Sequence, residues 1–353
     1  MIMTSKSIPK LSSNTQVKDN DLILKKYEGF RISTTRPLID SIPVISINGT
    51  SISTEGSLTV LSGDSKSGKS ALCNVILAGA ICSIGQDYDG FIGIDIQPNY
   101  LSKAVIHFDT EQSQQQHYKS FKYNILKRVN LNQEPSIYYS YNIRRIDISK
   151  YKDLCKEIFR ACFEINNGIH LAVIDGVADF IKSVNDEEES NAIIKYFEQL
   201  AVEFKTPIIL VVHFNPKSDK QRGHLGSQLQ RKAESVLAIK KNEGISYIEP
   251  QLLRNGSNLS IPNIQFSYDE MKGYHTSCGV FTKISKEDEE KNNLLTLSKT
   301  VFSDDPINYT EAIEKLIAIT KSSERTMSTR LKKMVDLNYV SKSDNKLYTI
   351  KNY

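Results

Sequence analysis

None of the five cysteines (Cys73, Cys82, Cys155, Cys162 and Cys278) stands in a C-x-x-C pair. That pairing marks many thiol metal sites and redox motifs, so neither is expected; buried, reduced thiols in a cytoplasmic protein are. No apolar run reaches spanning length, and mean hydropathy is −0.35, which argues against a membrane protein. The N-terminus is polar and does not read as a secretory signal. Excess charge of one sign is also missing. Lys plus Arg number 45 against 41 Asp plus Glu, a net charge of +4. This balance permits nucleic-acid contact without arguing for it, so the distribution of charge matters more. There is no internal repeat. At 353 residues the chain has room for two domains, or for one large domain and an appendage.

What the chain does have is the stretch Leu58–Asn74, LTVLSGDSKSGKSALCN. Gly63, Gly68, Lys69 and Ser70 form G-x-x-x-x-G-K-[ST]. The apolar run Leu58–Leu61 reads as a buried strand, and Ala71–Ala80 reads as a helix. Strand, glycine-rich turn and helix are the context a phosphate-binding loop requires. The glycines let N–H groups of Gly63, Asp64, Ser65, Lys66, Ser67, Gly68, Lys69, Ser70 and Ala71 turn towards phosphate oxygens, and the positive helix end adds to the attraction. Lys69 would reach the β- and γ-phosphates, and Ser70 would hold Mg²⁺. The competing view is a chance Gly–Ser turn.

Three further apolar runs close on polar residues. Ala104–Asp109 leads into Thr110-Glu111-Gln112. Glu111 is placed to polarise an attacking water, or else to cap the helix expected over Gln114–Val129; Asp109 reads as a residue that only orients it. Leu171–Asp175 ends on an acid suited to the Mg²⁺ shell. Asp179, on the loop that follows, is as well read as a cap or surface residue. Pro207–Val212 runs into His213, a candidate γ-phosphate sensor, although a lone His is more often structural. Arg254, at the end of the run Ile245–Leu253, suits a finger that reaches a neighbouring subunit's γ-phosphate; a plain surface Arg is the rival reading. Asn215–Gln228 is basic and polar, with Lys217, Lys220, Arg222 and His224. It reads as a mobile surface loop or as a contact for single-stranded nucleic acid.

Apolar strands alternating with helices imply a parallel sheet covered on both faces, with the site at the strands' carboxyl ends. The Asn48-Gly49 pair predicts a tight hairpin ahead of the phosphate loop. Gln86–Tyr100 reads as an exposed loop, Asn185–Ser190 as an acidic loop, and Ala192–Phe204 as an amphipathic helix. On Tyr151–Ile165, Leu154, Ile158, Cys162 and Ile165 share one expected helix face. Residues 1–36 read as an arm, disordered in its first part with a short helix over Leu22–Phe30; docking on a neighbouring subunit is the functional alternative.

Residues 285–303 are charged and read as a linker or a solvated helix start. Beyond them, helices over Tyr309–Ile319 and Ser322–Leu337 and a hairpin over Tyr339–Ile350 resemble a winged helix-turn-helix, spanning residues 304–353. Arg325, Arg330, Lys332 and Lys333 on the second helix suit double-stranded DNA. A winged fold used only for subunit contact is the alternative.

Taken together, GDSKSGKS, FDTEQ, LAVID, VVHFNP and RGHLGSQLQRKAESV followed by LLRNG resemble the RecA-like ATPases. Within them the hexameric helicase group is the nearer likeness, in particular plasmid RepA-type replicative helicases and their relatives on mobile elements. The resemblance covers about Pro43 to Tyr268, within an ATPase domain placed at residues 37–284. It implies ATP and Mg²⁺ as cofactors, Lys69 and Ser70 as nucleotide ligands, Glu111 as base, Asp175 as the second acid and His213 as sensor. It also puts Arg222 to Ser227 in a nucleic-acid loop and makes Arg254 a trans-acting finger in a homo-oligomer such as a hexamer. One departure is Leu252, where the group often carries Lys. The function implied is an ATP-dependent DNA-binding protein serving replication or mobilisation of a plasmid, phage or mobile element. A non-motor regulator switched by ATP is the alternative, and a small-molecule kinase a third reading.

Overall fold

The computed structural model describes residues 14–36, 43–82, 91–213, 223–281, 286–303 and 305–351. Its helices are α1 (Asn14–Tyr27), α2 (Lys69–Ile81), α3 (Gln114–Lys119), α4 (Tyr151–Asn166), α5 (Glu187–Glu203), α6 (Gly223–Lys232), α7 (Lys286–Val301), α8 (Tyr309–Thr320) and α9 (Glu324–Asp336). Its first strands are β1 (Ile45–Ile47), β2 (Thr50–Ser53), β3 (Leu58–Gly63), β4 (Asp95–Ile96), β5 (Ala104–Asp109), β6 (Tyr138–Asn142), β7 (Ile169–Asp175) and β8 (Ile208–His213). They are followed by β9 (Ser235–Asn242), β10 (Ile245–Leu253), β11 (Asn263–Asp269), β12 (Tyr274–Phe281), β13 (Val340–Lys342) and β14 (Tyr348–Ile350).

The chain is an α/β protein built on a nine-stranded mixed sheet, ordered β12-β11-β10-β9-β3-β8-β7-β5-β6. From β9 to β6 every pairing is parallel. From β9 to β12 the strands form an antiparallel meander. β3, β5 and β7 are buried along their whole length, as strands covered on both faces must be. Leu72 and Ile76 of α2, with Ile125 and Leu126, pack on one face. Phe159 of α4, Phe197 of α5 and Leu225 of α6 pack on the other. Helices therefore cover both faces, as expected.

Several local expectations are corrected. Helix α1 begins at Asn14, inside the stretch expected to be disordered. Ile92 and Ile94 are buried and β4 pairs with β1, so Gln86–Tyr100 is not wholly an exposed loop. The acidic segment 187–190 is the first turn of α5, capped by the Asp186 side chain, where carboxylates favour the positive helix end. Residues 223–228 are helical rather than loop. On α4 the buried face is Tyr151, Cys155, Phe159 and Cys162, while Ile165 is 70% exposed. The Asn48-Gly49 hairpin forms as expected, both residues at positive φ.

At the C-terminus, α8, α9 and the β13–β14 hairpin enclose a separate core of Ala312, Leu316, Met327, Leu331 and Tyr348. The stretch read as a linker or a solvated helix start holds helix α7, and Leu294, Val301 and Phe302 join that core. Residues 14–36 belong to a separate unit, in which Leu22, Leu24, Phe30 and Ile32 are exposed. Among the described residues no helix is long and apolar enough to cross a membrane.

Candidate functional site

Parallel register fixes the site. Gly63 pairs with His213 across β3 and β8, and Asp109 pairs with Asp175 across β5 and β7. Four strands thus end together and carry Lys69, Glu111, Asp175 and His213 to one edge. All four line a cleft of about 750 Å³ together with Ser65, Lys66, Gly68, Ser70 and Ala71. Its volume falls in the range of small-molecule sites.

The loop at its floor needs its glycines. A Cβ on Gly63 would run into the Ile239 carbonyl oxygen, and one on Gly68, at φ +110°, would meet Ser246 Oγ at 2.7 Å. Gly68 is the N-cap of α2 and supplies no side-chain cap. The first-turn N–H groups of Lys69, Ser70 and Ala71 therefore have no acceptor within the helix and are open to an anion.

Lys69 is only 7% exposed. Its Nζ donates to Gly63 O at 2.9 Å and Asp64 O at 2.7 Å, and lies 3.2 Å from His213 Nδ1. Burial lowers its pKa. An ammonium can only donate, so Nδ1 of His213 accepts and the ring proton sits on Nε2. That nitrogen lies 3.0 Å from Glu111 Oε1. The hydrogen bond from His213 is the main reason the Glu111 carboxyl is held below its ordinary range. Glu111 is thereby kept ionised and aimed, the condition for a general base.

Ser70 Oγ lies 3.4 Å from Asp175 Oδ2. A hydroxyl and a carboxylate at this separation are a hard-oxygen pair fitted to Mg²⁺. Burial, then Asp109 and Glu111, pushes the Asp175 carboxyl up to about 7. A bound cation would stabilise its ionised form. Asp109 is fully buried; its Oδ1 accepts from the Glu111 and Gln112 N–H groups at 2.9 and 2.8 Å, so it does orient the start of the Glu111 segment. Thr110 Oγ1 donates to Asp179 Oδ2 at 2.7 Å, which draws Asp179 into the support of the site.

Asn74, Gln112, Gln116, Lys119, Lys241, Ser246 and His275 also line the cleft and were not identified from sequence. Lys119 and Gln116 come from α3, which continues as a π-helical segment over Ser120–Leu126; such segments gather at functional sites. Lys241, Ser246 and His275 arrive from the meander, and no motif flags them.

Arg254 lies elsewhere. Leu253 pairs with Ser235, at the start of β9, so Arg254 sits at the opposite end of the sheet from Lys69. Its guanidinium donates to the Ala233 and Arg231 carbonyls at the end of α6. It cannot serve this chain's own cleft. Lys217, Lys220 and Arg222 lie outside the described residues, and His224 is exposed in the first turn of α6. On α9, Arg325 and Lys332 are exposed and Arg330 half-buried. Lys333 is paired with Glu290 of α7 at 2.6 Å. No protein-family model matches this chain, and no curated protein matches it.

Proposed function

We propose that this protein is a Mg²⁺-dependent ATPase of the RecA-like kind that acts on DNA. The observation that carries the reading is the convergence of Lys69, Ser70, Glu111, Asp175 and His213 at the carboxyl edge of four parallel strands. The Gly63–Ser70 segment is a phosphate loop in this reading, Lys69 and the α2 N-terminus hold the β- and γ-phosphates, and Ser70 and Asp175 hold Mg²⁺. Glu111 orients the attacking water and takes its proton. His213 aligns Glu111 and senses whether the γ-phosphate is present, since it touches both Lys69 and Glu111. The C-terminal three helices and hairpin act as a winged helix-turn-helix that grips double-stranded DNA through Arg325, Arg330 and Lys332. The basic segment after His213 meets single strands, and the chains assemble as a cytoplasmic homo-oligomer. The service is replication or mobilisation of a plasmid, phage or mobile element.

One observation favours a second reading. Arg254 is engaged by its own chain's carbonyls, which weakens its claim as a finger in trans. A non-motor protein switched by ATP needs no such finger. Steady-state ATPase rates with and without single- and double-stranded DNA, run beside a mass measurement of the ATP-bound form, decide the matter. Stimulation by single strands together with oligomers supports the motor. Slow, unstimulated hydrolysis by a monomer with a sequence-specific footprint supports the switch. No ATP binding in the presence of Mg²⁺ overturns both.

A further inference from the structure

Behind Asp175, deeper than the cleft, lies a polar cluster whose histidine, His107, the ATPase reading does not use. His107 and Asp109 are alternate residues of β5 and project from the same sheet face, and Asp109 is in register with Asp175 on β7. Their ligand-type atoms, with that of Asp175, all lie within 4.8 Å of one another. The three side chains are 4%, 0% and 4% exposed. Two of their polar atoms, His107 Nε2 and Asp109 Oδ2, are buried without a hydrogen-bond partner. The nearest cationic candidate, His117 Nδ1, stands 3.6 Å from Asp109 Oδ2, beyond hydrogen-bond reach.

The surrounding groups orient the His107 ring. Its Nδ1 lies 3.0 Å from Ser140 Oγ. The same oxygen lies 2.7 Å from His117 Nε2, and Asn142 Nδ2 lies 3.3 Å from His117 Nδ1. These contacts are all satisfied if both imidazoles donate to Ser140 Oγ and Asn142 donates to His117. Nε2 of His107 then presents a bare lone pair towards two carboxylates. Such a convergence of acceptors in a dry interior is costly unless a proton is held on one carboxylate or a cation lies between them.

We propose that His107 Nε2, Asp109 Oδ2 and Asp175 bind one first-row transition dication of the class of Mn²⁺, Fe²⁺ or Zn²⁺. One imidazole with two carboxylates suits that class, whereas Mg²⁺ prefers oxygen donors alone. An ion drawn between the three atoms would bring each to about 2.1 Å from itself. Ser140 is the orienting partner that metal-bound imidazoles require. The ion would pin Asp109, whose other oxygen holds the backbone of Glu111. The site needs no nucleotide, so its failure leaves the ATPase reading intact, and the converse also holds.

The test uses the full-length, tag-free chain without nucleotide, stripped with EDTA, returned to excess Mg²⁺ and titrated with Mn²⁺. Expected are a single Mn²⁺ retained per chain by electron paramagnetic resonance and a ¹⁴N coupling from a directly bound imidazole. Ser140→Ala keeps all three ligands and should weaken binding about tenfold or more; His107→Gln should weaken it at least as much and abolish the coupling. No Mn²⁺ retained against Mg²⁺, retention without nitrogen coupling, or wild-type affinity in His107→Gln overturns the site. If His107→Gln does not fold, the wild-type coupling and the Ser140→Ala affinity decide alone.

Discussion

His213 faces Glu111 with Nε2 at 3.0 Å from Oε1, and this contact is the largest influence on that carboxyl group. Removing it lets the Glu111 pKa rise. In His213→Ala the acid limb of the ATPase pH profile should therefore move to higher pH. At neutral pH kcat should fall roughly 10- to 100-fold while ATP affinity changes little. A profile with an unmoved acid limb would mean that the ring does not set the charge of Glu111.

Asp175 carries the opposite shift. Its carboxyl is pushed up to about 7, chiefly by burial. The folded state then binds this proton more tightly than the unfolded state does, so the stability it contributes is full below the unfolded value and fades as pH rises through 7. In EDTA and without nucleotide, Asp175→Asn should be more stable than wild type at pH 8, by on the order of 2 kcal/mol, with the gain shrinking at pH 5. Melting curves at both pH values check this.

Lys69 is held by two carbonyls of its own loop and by His213. Lys69→Ala should weaken ATP binding by about 100-fold or more and abolish hydrolysis while leaving the fold intact. Equilibrium binding of a fluorescent ATP analogue, with circular dichroism of the same samples, separates loss of ligand from loss of structure.

Gly63 tests the close fit of β3 against β9. Its added Cβ would press on backbone, the Ile239 carbonyl, which cannot swing aside as a side chain can. Gly63→Ala should cost about 2 kcal/mol or more, read as a lower urea midpoint.

On α9 the four basic residues are not equivalent. Lys333 is paired with Glu290, whereas Arg325 and Lys332 are exposed. Arg325→Ala and Lys332→Ala should each lower the salt dependence of duplex binding by about one phosphate contact. Lys333→Ala should change it less. Fluorescence anisotropy across a salt series reads the slopes, and equal slopes for all variants remove α9 from the DNA surface.

The parallel half of the sheet was legible because its apolar runs end at polar groups that line the cleft: Gly63 before Lys69, Asp109 before Glu111, Asp175, and Val212 before His213. That punctuation is local, so it survives without tertiary information. On α4 it failed: Leu154 with Cys155 and Ile158 with Phe159 are adjacent apolar pairs, and either phase gives a plausible stripe until the sheet selects one. The charged start of α5 resembled a loop because its acids neutralise the helix dipole rather than face a core. The convergence of Lys241, Ser246 and His275 on the cleft depends on how the meander packs, which no spacing encodes. His107 was hidden within an apolar run, where a histidine looks like ordinary core.

Strand β3 pairs with β8 on one side and β9 on the other, Leu58 with Ile208 and Thr59 with Ser235. Its partners are therefore synthesised long after it. At ordinary translation speeds the interval is on the order of ten seconds, during which this strand, buried along its whole length in the fold, has no mate. Ribosome-bound fragments that stop before Ile208 cannot complete the centre of the sheet, and a chaperone able to shield an orphan strand would find its natural client there.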